Sequence, residues 1–335
     1  MRNWIIGEGP ENDIVMSSRA RFARNLKGVP FPWLLSPEKN AALEREISER
    51  IKEVLSGVIH ISLENLSPVE RQVMVERHLI SPDLANREFG GFVISKQEDV
   101  SIMINEEDHV RLQVVLPGLR LKEAFDYAKE IDMRLSRVMN FAYEEELGYL
   151  TCCPSNVGTG MRASLMLHLP GLVRTGNMGN IEEGVRQLGL TIRGMYGEGS
   201  QAFGDIFQIS NQISLGKTEE ELIENIQLIC SQIIIKEREH REFLRRRNRF
   251  EFEDRIFRAY GILKSARILD SVEFLNLLSD VRMGVSAGLF EHLTIRTLNE
   301  LMVDAQPASL QKKRERIMDP LERDIYRAEF VRGCL

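Results

Sequence analysis

Residues 92–115 read FVISKQEDVSIMINEEDHVRLQVV, and this stretch decides the fold class. It contains three short runs of β-branched and apolar residues, separated by polar residues of the turn-forming type. This pattern predicts a meander of three antiparallel strands. A segment at about 120–140 follows, in which apolar residues recur at roughly helical spacing and predict a helix. Strands and helices are therefore expected within one domain.

Strands and helices continue to alternate up to about residue 215. The further elements predicted there are strands at 163–169, 190–194 and 204–209 and a helix near 179–188. Beyond this point Thr218 and Glu221 have the spacing of a helix capping box, and apolar residues then mark one helical face. No strand pattern follows. We predict an α+β domain at 10–240, with an antiparallel sheet flanked by helices, and an all-helical C-terminal domain at 241–335.

Charge and composition exclude several classes of protein. The chain has 335 residues and a net charge of -6, which argues against a nucleic-acid-binding surface over the whole molecule. The N-terminus lacks the apolar core of a signal peptide, and no apolar run approaches the roughly 20 residues that cross a bilayer. The four cysteines, Cys152, Cys153, Cys230 and Cys334, match no metal-ligand spacing and no disulfide framework. A cytoplasmic protein without membrane contact is expected.

One basic run, REFLRRRNRF at 241–250, lies near the predicted domain junction. Aromatic residues interrupt it, and acidic residues flank it closely on both sides. Two interpretations stay open, a solvated helix face with ion pairs and a docking surface for a protein partner.

The segment TCCPSNVGTGMRAS at 151–164 is predicted to be a shaped loop, because Pro154 lacks a backbone donor and Gly158 and Gly160 weaken regular structure. Its GTGMRA, together with GEGSQA at 197–202 and LGKT at 215–218, partly resembles phosphate-binding motifs. None has the required strand and helix context or the earlier glycine, so we reject all three. Cys153 is either a small buried hydrophobe or a thiolate favoured by neighbouring arginines.

Arginines recur beside turn-forming residues along the chain, namely Arg19, Arg21, Arg111, Arg162 and Arg193. A fan of guanidinium groups from separate segments can bind a triphosphate, although each arginine alone fits a surface ion pair as well. Glu106 and Glu107 lie in the turn NEEDH at 105–109. Because adjacent side chains of an extended run diverge, only one of them can enter a given site. The alternative is an acidic β-turn without function.

Four motifs in this order, SSRAR at 17–21, NEEDHVR at 105–111, CPSNVGTGMRAS at 153–164 and RGMYGEG at 193–199, resemble the catalytic domain of the phosphagen (guanidino) kinases. The resemblance covers roughly 10–240 and implies the fold of that family, which is similar to glutamine synthetase. It implies ATP as the phosphoryl donor, with nucleotide-borne Mg²⁺ and no metal site of the protein itself.

The resemblance also implies roles for individual residues. Glu107 and Glu198 become the carboxylates that clamp and deprotonate the acceptor guanidinium, and Cys153 becomes the thiolate beside it. The implied nucleotide contacts are Ser17, Ser18, Arg19, Ala20, Arg21, His78, Arg111, Arg162, Ala163, Ser164, Leu165, Met166, Arg193, Gly194, Met195, Tyr196 and Gly197. The glycines of the loop are expected to let its backbone approach the nucleotide.

Two features of this sequence differ from the small-molecule kinases of that family. The small-molecule kinases of the family resemble one another in carrying a helical domain before the motif SSRAR, which helps to enclose the substrate. In this sequence only 16 residues precede Ser17. The C-terminal helical domain and its motif RDIYRA at 323–328 resemble instead the bacterial protein-arginine kinases. That resemblance implies a phosphoarginine-binding allosteric site at Arg323, Asp324, Arg327 and Ala328. On a helix Arg323 and Arg327 share a face, and the alternative is an ion pair between Asp324 and Arg327.

The expected activity is ATP-dependent phosphorylation of protein arginines that marks them for a Clp-type AAA+ protease in a bacterial stress response. The same resemblance implies two further partners, a stress-gene repressor and an activator protein. It also implies that the protein forms a homodimer. No direct nucleic-acid contact is expected. The alternatives are a small-molecule guanidino kinase, which the absent N-terminal domain disfavours, and a catalytically silent adaptor, which the intact Glu107, Glu198 and Cys153 disfavour.

Overall fold

A large antiparallel sheet organises the first two thirds of the chain in the computed structural model, which describes residues 3–195 and 202–335. Side by side, its strands are β2 (Val58–Ser62), β3 (Gly91–Ser95), β4 (Val100–Ile104), β5 (Val110–Pro117), β1 (Val15–Arg24), β8 (Met161–His168), β10 (Ile206–Asn211) and β9 (Leu190–Gly194). Every neighbouring pair is antiparallel. A small hairpin, β6 (Tyr143–Glu144) and β7 (Gly148–Tyr149), lies outside this sheet.

Helices flank the sheet and then make up the C-terminal part of the chain. Those between strands are α1 (Pro37–Val54), α2 (Pro68–Glu76), α3 (Pro82–Ala85), α4 (Leu121–Leu135), α5 (Pro170–Arg174) and α6 (Met178–Gln187). Those after the sheet are α7 (Glu219–Arg247), α8 (Arg249–Ser265), α9 (Ser271–Ser286), α10 (Ile295–Asp304), α11 (Pro307–Arg314) and α12 (Pro320–Cys334). Thr218 and Glu221 form the predicted capping box at the start of α7.

The predicted meander is confirmed as β3, β4 and β5, and the α+β class with it. The predicted strands and helices up to residue 215 are also present, shifted by a few residues at their ends. Strand β1, at the centre of the sheet, was not predicted, and β2 was missed as well. In β1, Arg19 and Arg21 occupy alternate positions between small and apolar residues, which is a strand pattern rather than the edge of a turn.

The two faces of the sheet have different partners. One face packs its apolar residues, among them Ala20 and Phe22 of β1, against α1, α4 and α7. The other face meets the C-terminal helices over part of its area, where Met16, Val115 and Met166 join the core that those helices form. The rest of this second face carries polar side chains. The C-terminal helices therefore pack against the sheet itself.

The basic run 241–250 spans the end of α7 and the start of α8, and α7 continues through residue 240 without a break. Arg241 pairs with Glu237 one turn earlier, and Arg246 and Arg249 make similar pairs on the exposed helix surface. These contacts agree with the interpretation as a solvated face with ion pairs. A role in partner docking stays a prediction.

Within residues 3–195 and 202–335, each helix is too short or too polar to traverse the apolar part of a bilayer.

Candidate active site

A cleft opens on the polar part of the second sheet face. Four strands direct arginine side chains into it. Every second residue of a strand points to the same face of the sheet, and these arginines lie at positions that point to the cleft. They are Arg19 and Arg21 of β1, Arg111 of β5, Arg162 of β8 and Arg193 of β9. The register sets Arg21 directly opposite Arg162 on the neighbouring strand. The sheet thus brings together arginines that lie far apart in the sequence.

Positive charge accumulates in this cleft. Arg19 Nη2 donates to Oε1 of Gln208 at 2.5 Å, and its Nε donates to Oγ of Ser164 at 3.3 Å, so these partners are neutral. Nε of Arg21 is buried and has no hydrogen-bond partner among the described residues. Burial, with the charges of neighbouring arginines, lowers the pKa of Arg19 to about 9 and also lowers the pKa of Arg21. A bound polyanion would relieve this repulsion.

Glu106 and Glu107 point in different directions, as their adjacent positions predict. Glu106 is 1% exposed and accepts hydrogen bonds from Arg111 and Ser81. Burial raises its pKa, but the ion pair with Arg111 and the hydrogen bonds outweigh burial and lower the pKa to about 2. Glu107 instead lines the cleft, and burial, Asp108 and Glu106 together raise its pKa. Glu106 therefore holds an arginine, and Glu107 is the carboxylate that faces the cleft.

Asp108 ties the loop that carries Glu107 to the loop that carries Cys153. Its Oδ1 accepts hydrogen bonds from Nδ2 of Asn25 at 2.6 Å and from the backbone N–H of Cys152 at 2.7 Å. Asn25 also accepts the N–H of residue 109 at 3.0 Å. The two loops are thus fixed to each other and to the end of β1.

Cys153 lies in the cleft and is partly exposed, so it is not the small buried hydrophobe of the alternative interpretation. Its Sγ is 3.1 Å from Oγ of Ser155. Gly158 has a φ of 113°, and a Cβ there would come within 2.8 Å of the Cα of Leu215. The hydrogen side of this glycine therefore faces protein backbone, and the expectation that the glycines let the loop approach the nucleotide stays a prediction. This glycine sets the shape of the loop.

His78 enters the cleft just after the end of α2. Its backbone is left-handed, with φ 58°, and its ring lies edge-on to Trp4 with the centroids 5.3 Å apart. Burial and the charge of Arg19 lower its pKa to about 3. The cleft therefore contains a neutral imidazole beside the arginines.

Four residues that the resemblance assigns to the nucleotide do not face the cleft. Ala20, Ala163 and Leu165 alternate with the arginines and lie fully buried in the core on the other face. The Ser18 hydroxyl donates to the carbonyl of residue 118 at 2.7 Å and accepts the backbone N–H of residue 120 at 2.8 Å. Because neighbours in a strand point to opposite faces, the side chains of Ala20, Ala163 and Leu165 point away from the cleft.

The remaining predicted residues fall into three groups. Ser17, Ser164 and Met166 line a smaller pocket that shares Arg19 and His78 with the cleft. Gly194 ends β9, and Met195 lines the cleft itself. Tyr196, Gly197 and Glu198 lie outside the described residues. Within the described ranges, no cluster of three or more His, Cys, Asp or Glu side chains could hold a metal ion.

Sequence reasoning missed several polar residues that line the cleft. Gln113 and Gln208 come from the middle of strands, and Ser81 and Asp83 come from the segment around the start of α3. Nε2 of Gln113 donates to the carbonyl of His78 at 2.8 Å. A buried amide in an apolar strand needs a partner, so the glutamines could have been recognised as residues facing a polar site.

The motif RDIYRA lies in α12, away from the cleft. Arg327 is 1% exposed and donates to three acceptors, which are the carbonyls of Ala305 and Leu269 and the carboxylate of Asp324. Arg323 is partly exposed and donates to a backbone carbonyl at 3.1 Å. Arg327 therefore joins α12 to neighbouring helices and makes the ion pair with Asp324 that the alternative interpretation gives, and a phosphoarginine site at these residues stays a prediction. Ala328 is buried.

The antiparallel sheet, the arginine-lined cleft and the loops bearing Glu107 and Cys153 define an ATP-dependent guanidino phosphotransferase. Residues 41–240 match the family described as ATP:guanido phosphotransferase, C-terminal catalytic domain. Residues 249–335 match the family described as Protein-arginine kinase McsB C-terminal domain.

Curated relatives extend this match to nearly the whole chain. Proteins named protein-arginine kinase are 50% identical in Moorella thermoacetica, covering 99% of this chain and 97% of the relative, and 48% identical in Pelotomaculum thermopropionicum, covering 98% and 94%. The corresponding protein of Bacillus subtilis is 44% identical and covers 100% and 93%. The chain belongs to the protein-arginine kinase family.

Solved structures share the fold of the larger part of the chain. The duplicated taurocyamine kinase from Schistosoma mansoni, solved with bound transition-state-analogue components, has a TM-score of 0.63 and 27% identity over 69% of this chain. This chain spans 34% of the length of that duplicated protein. Lombricine kinase has a TM-score of 0.59 and 25% identity over 68% of this chain and 67% of its own.

Proposed function

We propose that this protein transfers the γ-phosphoryl group of ATP to arginine side chains of other proteins. The observation that carries the proposal is the pairing of opposite groups in one cleft. Buried arginines supply positive charge for phosphates, and Glu107 and Cys153 supply a carboxylate and a sulfur for a guanidinium. The names of the curated relatives support a protein arginine as the acceptor.

The protein's own residues account for the transfer step. A guanidinium holds its proton with a pKa above about 12, so a nitrogen lone pair must be freed as it attacks phosphorus. Glu107 accepts that proton, the N–P bond forms, and the P–O bond to ADP breaks. The arginines stabilise the charge on the transferring group and orient it. Glu198 and Cys153, by the same proposal, orient the guanidinium.

Mg²⁺ carried by the nucleotide would neutralise part of the phosphate charge. The unpartnered Nε of Arg21 and the depressed pKa of Arg19 support a phosphate-rich ligand in the cleft. Arg111 is held by Glu106 and is therefore preorganised for such a ligand.

The alternative acceptor is a small guanidino compound, which the solved structures named taurocyamine kinase and lombricine kinase favour. A single assay separates the possibilities. The protein is incubated with Mg·ATP and either free arginine or an arginine-rich protein, and ADP is measured. We expect turnover with the protein acceptor. Turnover with free arginine alone would support the small-molecule kinase, and turnover with neither would support the silent adaptor.

We further propose that Arg323 and Asp324 bind phosphoarginine and thereby stimulate the kinase. Asp324 can engage the guanidinium part of the ligand and the partly exposed Arg323 its phosphate. Arg327 then supports Asp324, which it contacts at 2.5 Å. Asp324→Ala and Arg323→Ala should keep turnover in the absence of phosphoarginine but lose the stimulation by added phosphoarginine. Full stimulation of both variants, or no stimulation of the wild type, would contradict the allosteric site.

The remaining proposals follow from the family resemblance. The phosphorylated proteins are delivered to a Clp-type AAA+ protease in a stress response, a stress-gene repressor is one of them, and an activator protein controls the kinase. The kinase is proposed to act in the cytoplasm as a homodimer.

A further inference from the structure

Glu76, the last residue of α2, connects the sheet domain to the C-terminal helices. Its carboxylate is 4% exposed and accepts the backbone N–H groups of Ala308 at 2.7 Å and Ser309 at 2.8 Å, and the Ser309 hydroxyl at 2.7 Å. These N–H groups belong to the first turn of α11, where backbone donors have no helical partner. The carboxylate therefore caps a helix 232 residues further along the chain.

A second contact, from α12, holds the segment that leads into α11. Nε of Arg327 in α12 donates to the carbonyl of Ala305 at 2.9 Å, just before α11 begins. The start of α11 is thus held by α12 and by α2 together. The position of the last turn of α2 consequently depends on the C-terminal helices.

That last turn determines where His78 lies. The N–H of His78 donates to the carbonyl of Val75 at 2.9 Å, and the N–H of Leu79 donates to that of Met74 at 2.9 Å. These bonds form a Schellman turn with His78 in the left-handed position that glycine usually occupies. A histidine keeps this backbone conformation only where its surroundings enforce it. A displaced last turn would therefore move the imidazole relative to the cleft.

Trp4 makes a second connection to the same turn. It belongs to the apolar core of the C-terminal helices, its indole N–H donates to the carbonyl of Arg77 at 3.4 Å, and its ring contacts His78 edge-on. Two contacts therefore converge on the turn that carries His78: one from α11 through Glu76, and one from Trp4, which packs in the core of the C-terminal helices.

We infer that Glu76 is a positioning residue, which by capping α11 holds the end of α2 so that His78 faces the nucleotide. The C-terminal helices thereby set the affinity for ATP. The inference rests on the proposed function, because it takes the cleft as the nucleotide site. By linkage, bound nucleotide must strengthen the contact between α2 and α11 by the same factor.

The test measures the dissociation constant of Mg·ATP by calorimetry for Glu76→Ala. We expect it to rise about 2- to 30-fold, the range for residues along a coupling network, while transfer at saturating ATP persists. Glu237→Ala is the matched control. Glu237 is fully buried and caps α5 through the N–H groups of Gly171 and Leu172 at 2.8 and 2.9 Å, but it does not line the cleft. It should lower the melting temperature and leave the dissociation constant unchanged.

Ser309→Ala is a milder variant that removes one hydrogen bond to Glu76 and keeps the carboxylate. It should weaken Mg·ATP binding about twofold, the lower end of the same range, and it decides the question if Glu76→Ala does not fold. The inference is overturned if folded Glu76→Ala binds Mg·ATP like the wild type, or if Glu237→Ala weakens binding equally. It is also overturned if Glu76→Ala does not fold and Ser309→Ala binds normally. Absence of arginine phosphorylation with this binding pattern intact would contradict only the proposed function.

Discussion

At the residue scale, the direction of each side chain decides its role. Glu106 and Glu107 are neighbours in one short loop, yet one is paired with Arg111 beneath the cleft and the other faces into it. Sequence reasoning establishes that the two must diverge. It cannot establish which one enters the cleft, because that depends on Arg111 and Ser81, which come from other segments.

This difference gives the two glutamates opposite expected kinetic effects. Glu107→Gln should lower the transfer rate by at least about 10²-fold, the scale for a positioned acid or base, and leave Mg·ATP affinity nearly intact. Glu106→Gln should instead weaken Mg·ATP binding, because Arg111 loses its buried partner. Steady-state kinetics with varied ATP, together with calorimetry, separates the two effects. Near wild-type transfer by Glu107→Gln would remove this residue from the site.

At the element scale, the loops of the site depend on contacts between segments. The loops carrying Glu107 and Cys153 are joined through Asp108 and Asn25, at the end of β1. Neither Asn25 nor its hydrogen bonds could be deduced from the sequence, because the three segments are far apart in the chain. Local patterns predicted that the loops exist but not that they are fixed to each other.

Asn25→Ala should therefore impair catalysis although Asn25 does not line the cleft. We expect a fall in transfer rate of about tenfold, since a small misplacement of catalytic groups is costly, with Mg·ATP affinity unchanged. Rapid-quench measurement of a single turnover reports this rate. A wild-type rate in a folded variant would show that the link between the loops has no role in catalysis.

The strands that were predicted and those that were missed differ in a physical way. The meander of β3 to β5 has compact apolar runs between polar turns, so the local pattern is sufficient. Strand β1 carries arginines among its apolar residues, and only the neighbouring strands and the cleft explain their burial. A functional strand of this kind departs from the composition of an ordinary strand.

At the scale of the whole molecule, three histidines with lowered pKa values, His78, His109 and His168, make stability depend on pH. Burial and Arg19 lower the pKa of His78 to about 3, and burial and nearby arginines lower that of His168. In the unfolded chain a histidine takes up a proton near pH 6.5, so the unfolded state binds more protons below that pH. The free energy of unfolding therefore falls as the pH falls from about 7 to 5.5, by roughly 1 kcal/mol per histidine at most.

Urea denaturation at pH 7.5 and 5.5 tests this expectation, with His168→Gln as the comparison. The variant should lose less stability than the wild type between the two pH values. Buried carboxyl groups with raised pKa, such as Glu76 and Glu237, act in the opposite direction at lower pH. An equal pH dependence in the variant would contradict the assignment of a neutral His168 in the folded state.

The C-terminal helices are more than an appended domain, because they share a core with the second face of the sheet and cap or contact the end of α2. Their helical character was predictable from the apolar period after residue 218. Their contacts with the sheet domain could not be predicted, since Glu76 and Ala308 meet only after the whole chain has folded. The burial of Arg327 could not be predicted for the same reason.

The measurement that tests the proposed function most directly is mass spectrometry of a protein acceptor after incubation with the enzyme and Mg·ATP. The sample is kept under non-acidic conditions, which preserve the P–N bond. We predict phosphate on arginine side chains of the acceptor, and none after incubation with Glu107→Gln. Phosphate on other residue types alone, or an unmodified acceptor while free arginine is phosphorylated, would contradict the proposal that this cleft phosphorylates protein arginines.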